Sequence, residues 1–215
     1  MSTNRTPDPH AAAVRHLARR CPLMKDLIAR VGPCTWAAVS PDPFTVLVWC
    51  IVYQQLSTKA AGTIFARLAA TVGGVPIARD RLAALAEADF RACGVSGPKQ
   101  RALRALADHV AADPALLVDT AARDDALLRE QLTAIKGIGP WSVHMFLMFG
   151  LLRPDVLPVG DLGLRMGVRD EYGLADLPSP AELEAVAEKW KPYRSVATWY
   201  FWRSRGFVPQ TGRGG

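Results

Sequence analysis

The chain has 215 residues, of which 50% are hydrophobic and 21% are charged, so it is long enough and apolar enough to bury a core. Its four cysteines, Cys21, Cys34, Cys50 and Cys93, have no close-paired spacing, which argues against zinc sites and disulfide frameworks. No segment has the apolar length of a membrane span or of a signal core, so we expect a cytoplasmic protein. The formal net charge of +6 is compatible with a polyanionic partner.

Apolar residues recur with a helical period through most of the chain, and no segment alternates with a period of two over the length of a strand. The predicted helices are, in chain order, His10–Arg20, Leu23–Val31, Phe44–Tyr53, a segment from Ser57 or Thr58 to Thr71, Arg79–Ala86, Glu87–Cys93, Pro98–Ala112, Asp124–Ala134, Trp141–Gly150, Asp161–Glu171, Pro180–Lys189 and Pro192–Arg205. The β-branched run in Phe44–Tyr53 also fits a buried strand, but its length and the lack of a strand partner favour a helix. We therefore predict an all-α fold with a frayed tail over residues 207–215.

The segment Leu132–Val143, with the sequence LTAIKGIGPWSV, predicts a helix end, a tight turn and a second helix. Gly137 and Gly139 permit positive φ and close backbone approach, and Pro140 suits the first turn of a helix. The amides expected at this helix N-terminus belong to Ile138, Gly139, Trp141 and Ser142. Such a terminus favours an anion, for example a DNA phosphate, whereas an ordinary turn between two helices is the alternative.

An acidic residue follows this hairpin at a spacing of twenty residues from Trp141. Asp161 comes after the proline-rich loop Arg153–Gly160, and its position directly before a predicted helix also suits an N-cap. The other acids of this region are expected to be loop or solvent-facing residues: Asp155, Asp170 and Asp176.

The hairpin and the acid together resemble the helix-hairpin-helix DNA glycosylase superfamily, and most of all its alkylation-repair branch, the DNA-3-methyladenine glycosylase II type. Three further stretches agree with it: Tyr53–Lys59 (YQQLSTK), Gly94–Gln100 (GVSGPKQ) and Trp190–Trp202 (WKPYRSVATWYFW). The resemblance spans about residues 40–205. It implies one glycosylase unit over residues 1–215, built as two helical lobes with a cleft between them. The N- and C-terminal helices would form one lobe and the middle helices, about 57–150, the other.

The resemblance implies a monofunctional enzyme of base excision repair that flips an alkylated base out of duplex DNA and hydrolyses its N-glycosidic bond. The expected bases are 3-methyladenine and 7-methylguanine, with 1-methyladenine and 3-methylcytosine left open. Asp161 is the candidate catalytic residue, since a carboxylate stabilises the positive charge that develops on the sugar. Members that also cut the backbone carry a lysine where this chain has Trp141, so a Schiff base is not expected there.

An aromatic pocket would suit alkylated purines, because their delocalised positive charge is attracted to a ring face. Trp141 and Trp202 stand at the motif positions for such a pocket. Further candidates are Met145, Tyr193 and Trp199, and core packing is the alternative for most of the six tryptophans.

The DNA contacts that the resemblance implies come from a loop and from the hairpin. The loop residues are Gln54, Gln55, Leu56 and Ser57, of which Gln55 or Leu56 would fill the gap left by the flipped base and Ser57 has helix capping as its alternative role. The hairpin residues are Lys136, Gly137, Ile138, Gly139 and Ser142. Additional positive charge is expected from Lys59, Lys99 and Arg101, although a solvated helix face is the default for the last two. His144 suits either a phosphate contact or an ordinary helix face.

No side-chain cluster has the spacing of a metal site. The expected partner is double-stranded DNA with alkylated bases. We expect the protein to bind this DNA as a monomer and not to associate with a membrane. In a bacterium the protein would be associated with the nucleoid. Relatives tend to bind a monovalent cation, Na+ or K+, through hairpin carbonyls. Two alternatives stay open: a non-catalytic helix-hairpin-helix DNA-binding protein, and a glycosylase for oxidised or mismatched bases.

Overall fold

The computed structural model describes residues 8–207, and within this range every regular element is a helix. The α-helices are α1 (Ala11–Arg20), α2 (Pro22–Val31), α3 (Pro43–Tyr53), α4 (Thr58–Thr71), α5 (Arg79–Ala83), α6 (Glu87–Cys93), α7 (Gly97–Ala112), α8 (Asp125–Thr133), α9 (Pro140–Phe149), α10 (Leu162–Tyr172), α11 (Pro180–Ala187) and α12 (Arg194–Ser204). Short 3-10 turns occupy Pro114–Leu117, Thr120–Ala122 and Glu188–Trp190. The all-α prediction is confirmed. Beyond Phe207, the predicted tail lies outside the described residues.

Local sequence signals set most of the helix boundaries. The side chains of Asp42, Ser57 and Asp124 each accept a hydrogen bond from a backbone N–H in the first turn of α3, α4 and α8, as N-caps do. The apolar run of α3 is helical and buried from Phe44 to Tyr53, so the strand alternative is wrong. No helix among the described residues is long and apolar enough to cross a membrane.

The described chain divides into two compact units. The terminal unit comprises residues 8–36 and 153–207, and the middle unit comprises residues 37–152. In the terminal unit, α12 packs against α10, α2 and α1. The two helices α10 and α12 lie so close together that a Cβ at Gly167 would be 2.9 Å from the Phe201 carbonyl oxygen. This packing brings the start of α10 and the body of α12 together, which matters for the acid at the start of α10.

In the middle unit, α3 is the central helix and contacts α4, α7 and α9. Its side chains include a stack of Trp49 on Tyr53, with ring centroids 4.1 Å apart. The pair α8 and α9 forms the hairpin that the sequence predicts, with the turn between them at residues 134–139. The C-terminal end of α3 and the N-terminal end of α9 therefore belong to the same packed unit.

Candidate functional site

The turn between α8 and α9 depends on one glycine. Gly137 has a φ of +94°, and a Cβ there would lie 2.4 Å from the Cβ of Ala102 on α7. Gly139 has nothing within 4 Å of an added Cβ and a φ of −104°, so it needs its small size much less. Only a residue without a side chain lets the hairpin lie this close to α7.

The hairpin amides differ in their availability. The N–H of Ile138 donates to the Ile135 carbonyl oxygen at 3.0 Å, and the Ile138 side chain is buried. The prediction that this amide is available to an anion is therefore wrong, because the turn itself uses it. Gly139 is the N-cap of α9 and Pro140 begins the helix. The N–H groups of this first turn have no intrahelical acceptor and favour negative charge.

Gln54 connects the end of α3 to the hairpin. Its Nε2 donates to the Gly137 carbonyl oxygen at 2.9 Å and to Ser142 Oγ at 2.8 Å. Both amide hydrogens are thereby used within the middle unit. The sequence suggested Gln54 only as a DNA contact; in the structure it holds the loop between α3 and α4 against the hairpin.

The same loop is also held at the end of α3. Lys99 Nζ donates to the Val52 carbonyl oxygen at 2.6 Å, and burial lowers the pKa of Lys99. A cation at a helix C-terminus is favourable for the helix dipole. Lys99 is therefore committed to α3, whereas the other cations expected to meet DNA are exposed: Lys59, Arg101 and Lys136.

Two residues project from the fixed loop and form what we call the loop tip, Gln55 and Leu56. Gln55 has a φ of +54°, and Leu56 is 40% exposed. Ser57 closes the loop as the N-cap of α4, with its Oγ accepting from the Ala60 N–H at 3.3 Å. The capping alternative for Ser57 is thus observed, and the tip presents one amide and one apolar side chain to solvent.

His144 lies one turn into α9 and pairs with α8. Its Nε2 accepts from Nη1 of Arg129 at 2.8 Å, and since a guanidinium can only donate, the imidazole proton belongs on Nδ1. Burial, and then the nearby Arg129 charge, lowers the pKa of His144 to about 4. The histidine is therefore a neutral link between the two hairpin helices at physiological pH.

Asp161 lies in the terminal unit as the N-cap of α10. Its Oδ1 accepts from the Leu164 N–H at 2.7 Å and from Nε1 of Trp202 at 2.8 Å. The side chains are nearly closed off from solvent, with Asp161 9% and Trp202 5% exposed. The predicted capping role is confirmed, and Trp202, expected as a pocket wall, is in hydrogen-bond contact with the candidate catalytic carboxylate.

The loop that leads to Asp161 is attached to the start of α12. Arg194 donates to both carboxylate oxygens of Asp155, from Nε at 2.8 Å and from Nη2 at 2.9 Å. Ser195 Oγ donates to the Arg153 carbonyl oxygen at 2.6 Å and accepts from the Val156 N–H at 3.0 Å. Asp155 is therefore an ion-paired acid of the loop, and of the two expected roles, loop or solvent-facing, it has the first.

The other two acids are solvent-facing, as expected. Asp170 is exposed near the end of α10 and forms surface ion pairs with Arg169 and Arg205, and Asp176 is exposed in the loop that follows α10. Arg194 and Ser195 were missed as site residues although they stand in the stretch WKPYRS. The stretch around them resembles the family, but the sequence does not show that Arg194 pairs with Asp155 or that Ser195 bonds to the loop before Asp161.

The remaining pocket candidates differ in burial. Trp141 and Tyr193 are half-buried, and the Tyr193 ring meets the His16 ring edge-on at a centroid distance of 5.3 Å. Met145 and Trp199 are each 2% exposed and lie in the cores of their units. Their pocket roles stay predictions. Over residues 8–207 no group of three His, Cys, Asp or Glu side chains could hold a metal ion.

Comparison with known proteins gives concordant matches. Residues 48–192 match the profile of the HhH-GPD superfamily base excision DNA repair proteins. The chain is 34% identical over 179 residues to DNA-3-methyladenine glycosylase 1 of Schizosaccharomyces pombe, which covers 79% of this chain and 75% of that protein.

Two solved structures extend the match to the fold. The fission yeast 3-methyladenine DNA glycosylase Mag1 in complex with abasic DNA superposes with a TM-score of 0.84 at 31% identity, over 94% of this chain and 100% of that one. A DNA-3-methyladenine glycosidase from Bacillus halodurans superposes with a TM-score of 0.74 at 34% identity, over 96% of this chain and 92% of that one.

Proposed function

Since the chain belongs to the HhH-GPD superfamily of base excision DNA repair proteins, we propose that it is a DNA glycosylase that excises alkylated bases, above all 3-methyladenine and 7-methylguanine. The observation that carries the proposal is Asp161, a carboxylate that is 9% exposed and fixed by two N–H donors. A fixed carboxylate in a water-poor site stabilises a developing positive charge far better than a solvated one. The names of the similar proteins support the choice of substrate.

The reaction follows from the chemistry of the substrate. A base in a duplex cannot be reached, so the nucleotide must leave the stack. The loop tip, Gln55 or Leu56, fills the gap, while the hairpin binds a backbone phosphate through the N–H groups of α9 and the charge of Lys136. The bond between C1′ and the base breaks with its electron pair going to the cationic base, which leaves neutral. Asp161 stabilises the charged sugar until a water oxygen bonds to C1′ and loses its proton.

We propose that the enzyme recognises the flipped base mainly by stacking on an aromatic side chain. The half-buried Trp141 would stack on the flipped ring, where a cationic base gains roughly 0.5–2 kcal/mol from the ring face. Because stacking and charge require few hydrogen bonds, 1-methyladenine and 3-methylcytosine are further candidate substrates. The protein is proposed to act as a monomer on double-stranded DNA, in the cytoplasm and at the nucleoid if the source is bacterial.

The enzyme is proposed to hydrolyse the glycosidic bond without cutting the backbone. A lyase step needs a lysine amine at C1′, and Trp141 occupies the motif position where such a lysine would stand. Reduction with borohydride during turnover should trap no covalent adduct and should leave an intact abasic strand. A trapped band that disappears in Lys136→Ala would contradict this and would redefine the hairpin.

A monovalent cation, Na+ or K+, stays a proposal for the hairpin. The oxygens that this segment offers are backbone carbonyls, and two of them already accept a hydrogen bond, Ile135 from the Ile138 N–H and Gly137 from Gln54. A carbonyl oxygen has a second lone pair, so both could still bind a hard cation. Affinity for abasic DNA in K+, Na+ and choline buffers of equal ionic strength measures whether an ion contributes.

The direct test is base release. Purified protein is incubated with methylated genomic DNA, and the released bases are separated and quantified. We expect 3-methyladenine and 7-methylguanine from the wild type and none from Asp161→Asn. A folded wild type that binds abasic DNA but releases no methylpurine would favour a non-catalytic DNA-binding protein. Release of oxidised bases alone would favour a glycosylase for oxidised or mismatched bases.

A further inference from the structure

The contacts of Asp161 suggest a role for α12 that the motif alone does not assign. The indole Nε1 of Trp202 donates to Oδ1 of Asp161 at 2.8 Å, and both side chains are nearly buried. A hydrogen bond to a charged group in such a setting is stronger than one between neutral groups. The edge of the indole, where the N–H lies, is thus committed to the carboxylate.

Gly163 leaves the room that this contact needs. A Cβ at Gly163 would lie 3.2 Å from Asp161 Oδ1 and 3.2 Å from both Cδ1 and Nε1 of Trp202. Gly163 is helical within α10 and has no positive φ, so its backbone does not require a glycine. A glycine at this position lets the Trp202 indole approach the Asp161 carboxylate to hydrogen-bond distance.

The loop before Asp161 is fixed by the same helix. Arg194 forms the ion pair with Asp155, and the Ser195 N–H donates to the Pro154 carbonyl oxygen at 3.0 Å. Further along the loop, the Asp161 N–H donates to the Pro158 carbonyl oxygen at 2.8 Å. α12 therefore holds the chain on the N-terminal side of Asp161 as well as the carboxylate itself.

We propose that Trp202 is a positioning residue for Asp161, with Gly163 providing the clearance, and that α12 thereby sets where the carboxylate meets the sugar. The inference rests on the proposed function of Asp161. It differs from a stacking role, because stacking uses the ring face and positioning uses the N–H. Trp202→Phe separates the two, since phenylalanine keeps an aromatic face and lacks the donor.

The kinetic test measures single-turnover excision and affinity for abasic DNA. We expect Trp202→Phe to lower the excision rate constant by about 10- to 100-fold while affinity changes less than threefold. The factor should be equal for 3-methyladenine and for 7-methylguanine, because the carboxylate acts on the sugar and not on the base. In an Asp161→Asn background the substitution should cost no further rate, and Gly163→Ala should reproduce the loss without adding to it.

A matched control is Trp36→Phe in the same unit. Trp36 is a buried indole, but its Nε1 has no hydrogen-bond partner within the described residues, so the change removes volume without removing a bond. We expect wild-type excision from it and a comparable loss of melting temperature in both variants. A rate loss in Trp202→Phe that Trp36→Phe shares would overturn the proposal, as would a loss confined to one of the two bases.

A second measurement does not depend on activity. The indole ¹⁵N–¹H resonance of Trp202, identified by its absence in Trp202→Phe, should move upfield in Asp161→Ala and stay in place in Asp176→Ala. If the wild type released no base, the proposed function would fail while this measurement still tested the contact. An unmoved resonance in Asp161→Ala would overturn the positioning role whatever the activity.

Discussion

The hairpin of the middle unit and the Asp161 region of the terminal unit are held in place by different kinds of interaction. The hairpin is made of backbone groups and one obligatory glycine, Gly137, with Gln54 as a side-chain brace. The Asp161 region is made of side-chain bonds, from an indole, a guanidinium and a hydroxyl. The comparison teaches that the hairpin turn depends first on the backbone position of Gly137, whereas the Asp161 region depends first on its side-chain hydrogen bonds, for which Gly163 leaves the room. The predictions below test these two dependences and the side-chain contacts that brace the hairpin.

The largest effect is expected from removing the charge of Asp161. Asp161→Asn keeps an oxygen for the cap and for the indole, but it cannot stabilise a cationic sugar to the same extent, so the single-turnover rate should fall by about 1,000-fold or more. Affinity for abasic DNA should stay within about threefold. Asp176→Asn, an exposed acid of the same unit, serves as the control and should keep the wild-type rate. A rate within tenfold of wild type in Asp161→Asn would relocate the catalyst.

The next effect comes from adding one carbon to the hairpin. Gly137→Ala forces a Cβ to within 2.4 Å of Ala102 Cβ at a φ of +94°, and we expect a loss of about 2–4 kcal/mol in the free energy of unfolding. Gly139→Ala meets no atom within 4 Å and should cost less than about 1 kcal/mol. Urea unfolding of both variants measures the difference. Equal losses would mean that the close approach to α7 does not govern this turn.

A smaller effect is expected from the brace. Gln54→Met is close in size but donates to neither the Gly137 carbonyl nor Ser142, so we expect about a fivefold weaker affinity for abasic DNA and a destabilisation of about 1–2 kcal/mol. Ser142→Ala removes one of the two acceptors and should show about half of the destabilisation. If Gln54→Met leaves both quantities unchanged, the loop is held by Lys99 and α3 alone.

The smallest effect is a pH dependence of stability. The pKa of His144 is about 4 in the folded protein, against an ordinary value of 6.5, so the unfolded chain binds more protons between these values. Stability is therefore lost as the pH falls from 6.5 towards 4. Because the side chain is partly exposed, we expect a loss of only about 1 kcal/mol relative to His144→Gln. Parallel stability curves for the two proteins over this pH range would contradict the assignment.

The same contrast explains what the sequence could predict. Glycines and caps act on neighbours in the chain, so the hairpin and the capping by Asp161 could be read from short motifs. The partners of Gln54, Arg194 and Trp202 lie 83, 39 and 41 residues away along the chain. Such pairs depend on which helices pack together. The Ile138 amide was misjudged for a different reason: its acceptor, the Ile135 carbonyl oxygen, belongs to the turn itself and not to a distant helix.

The brace on the loop also has a consequence for how the protein can evolve. Gln54 and Lys99 hold the loop through hydrogen bonds to the hairpin and to α3, so we expect substitutions of Gln55 and Leu56 to leave the loop conformation in place. The φ of +54° at position 55 admits Gly and Asn and opposes β-branched residues, whereas position 56 carries no such restriction. Selection for new lesion contexts could therefore sample the loop tip widely while the fold stays intact.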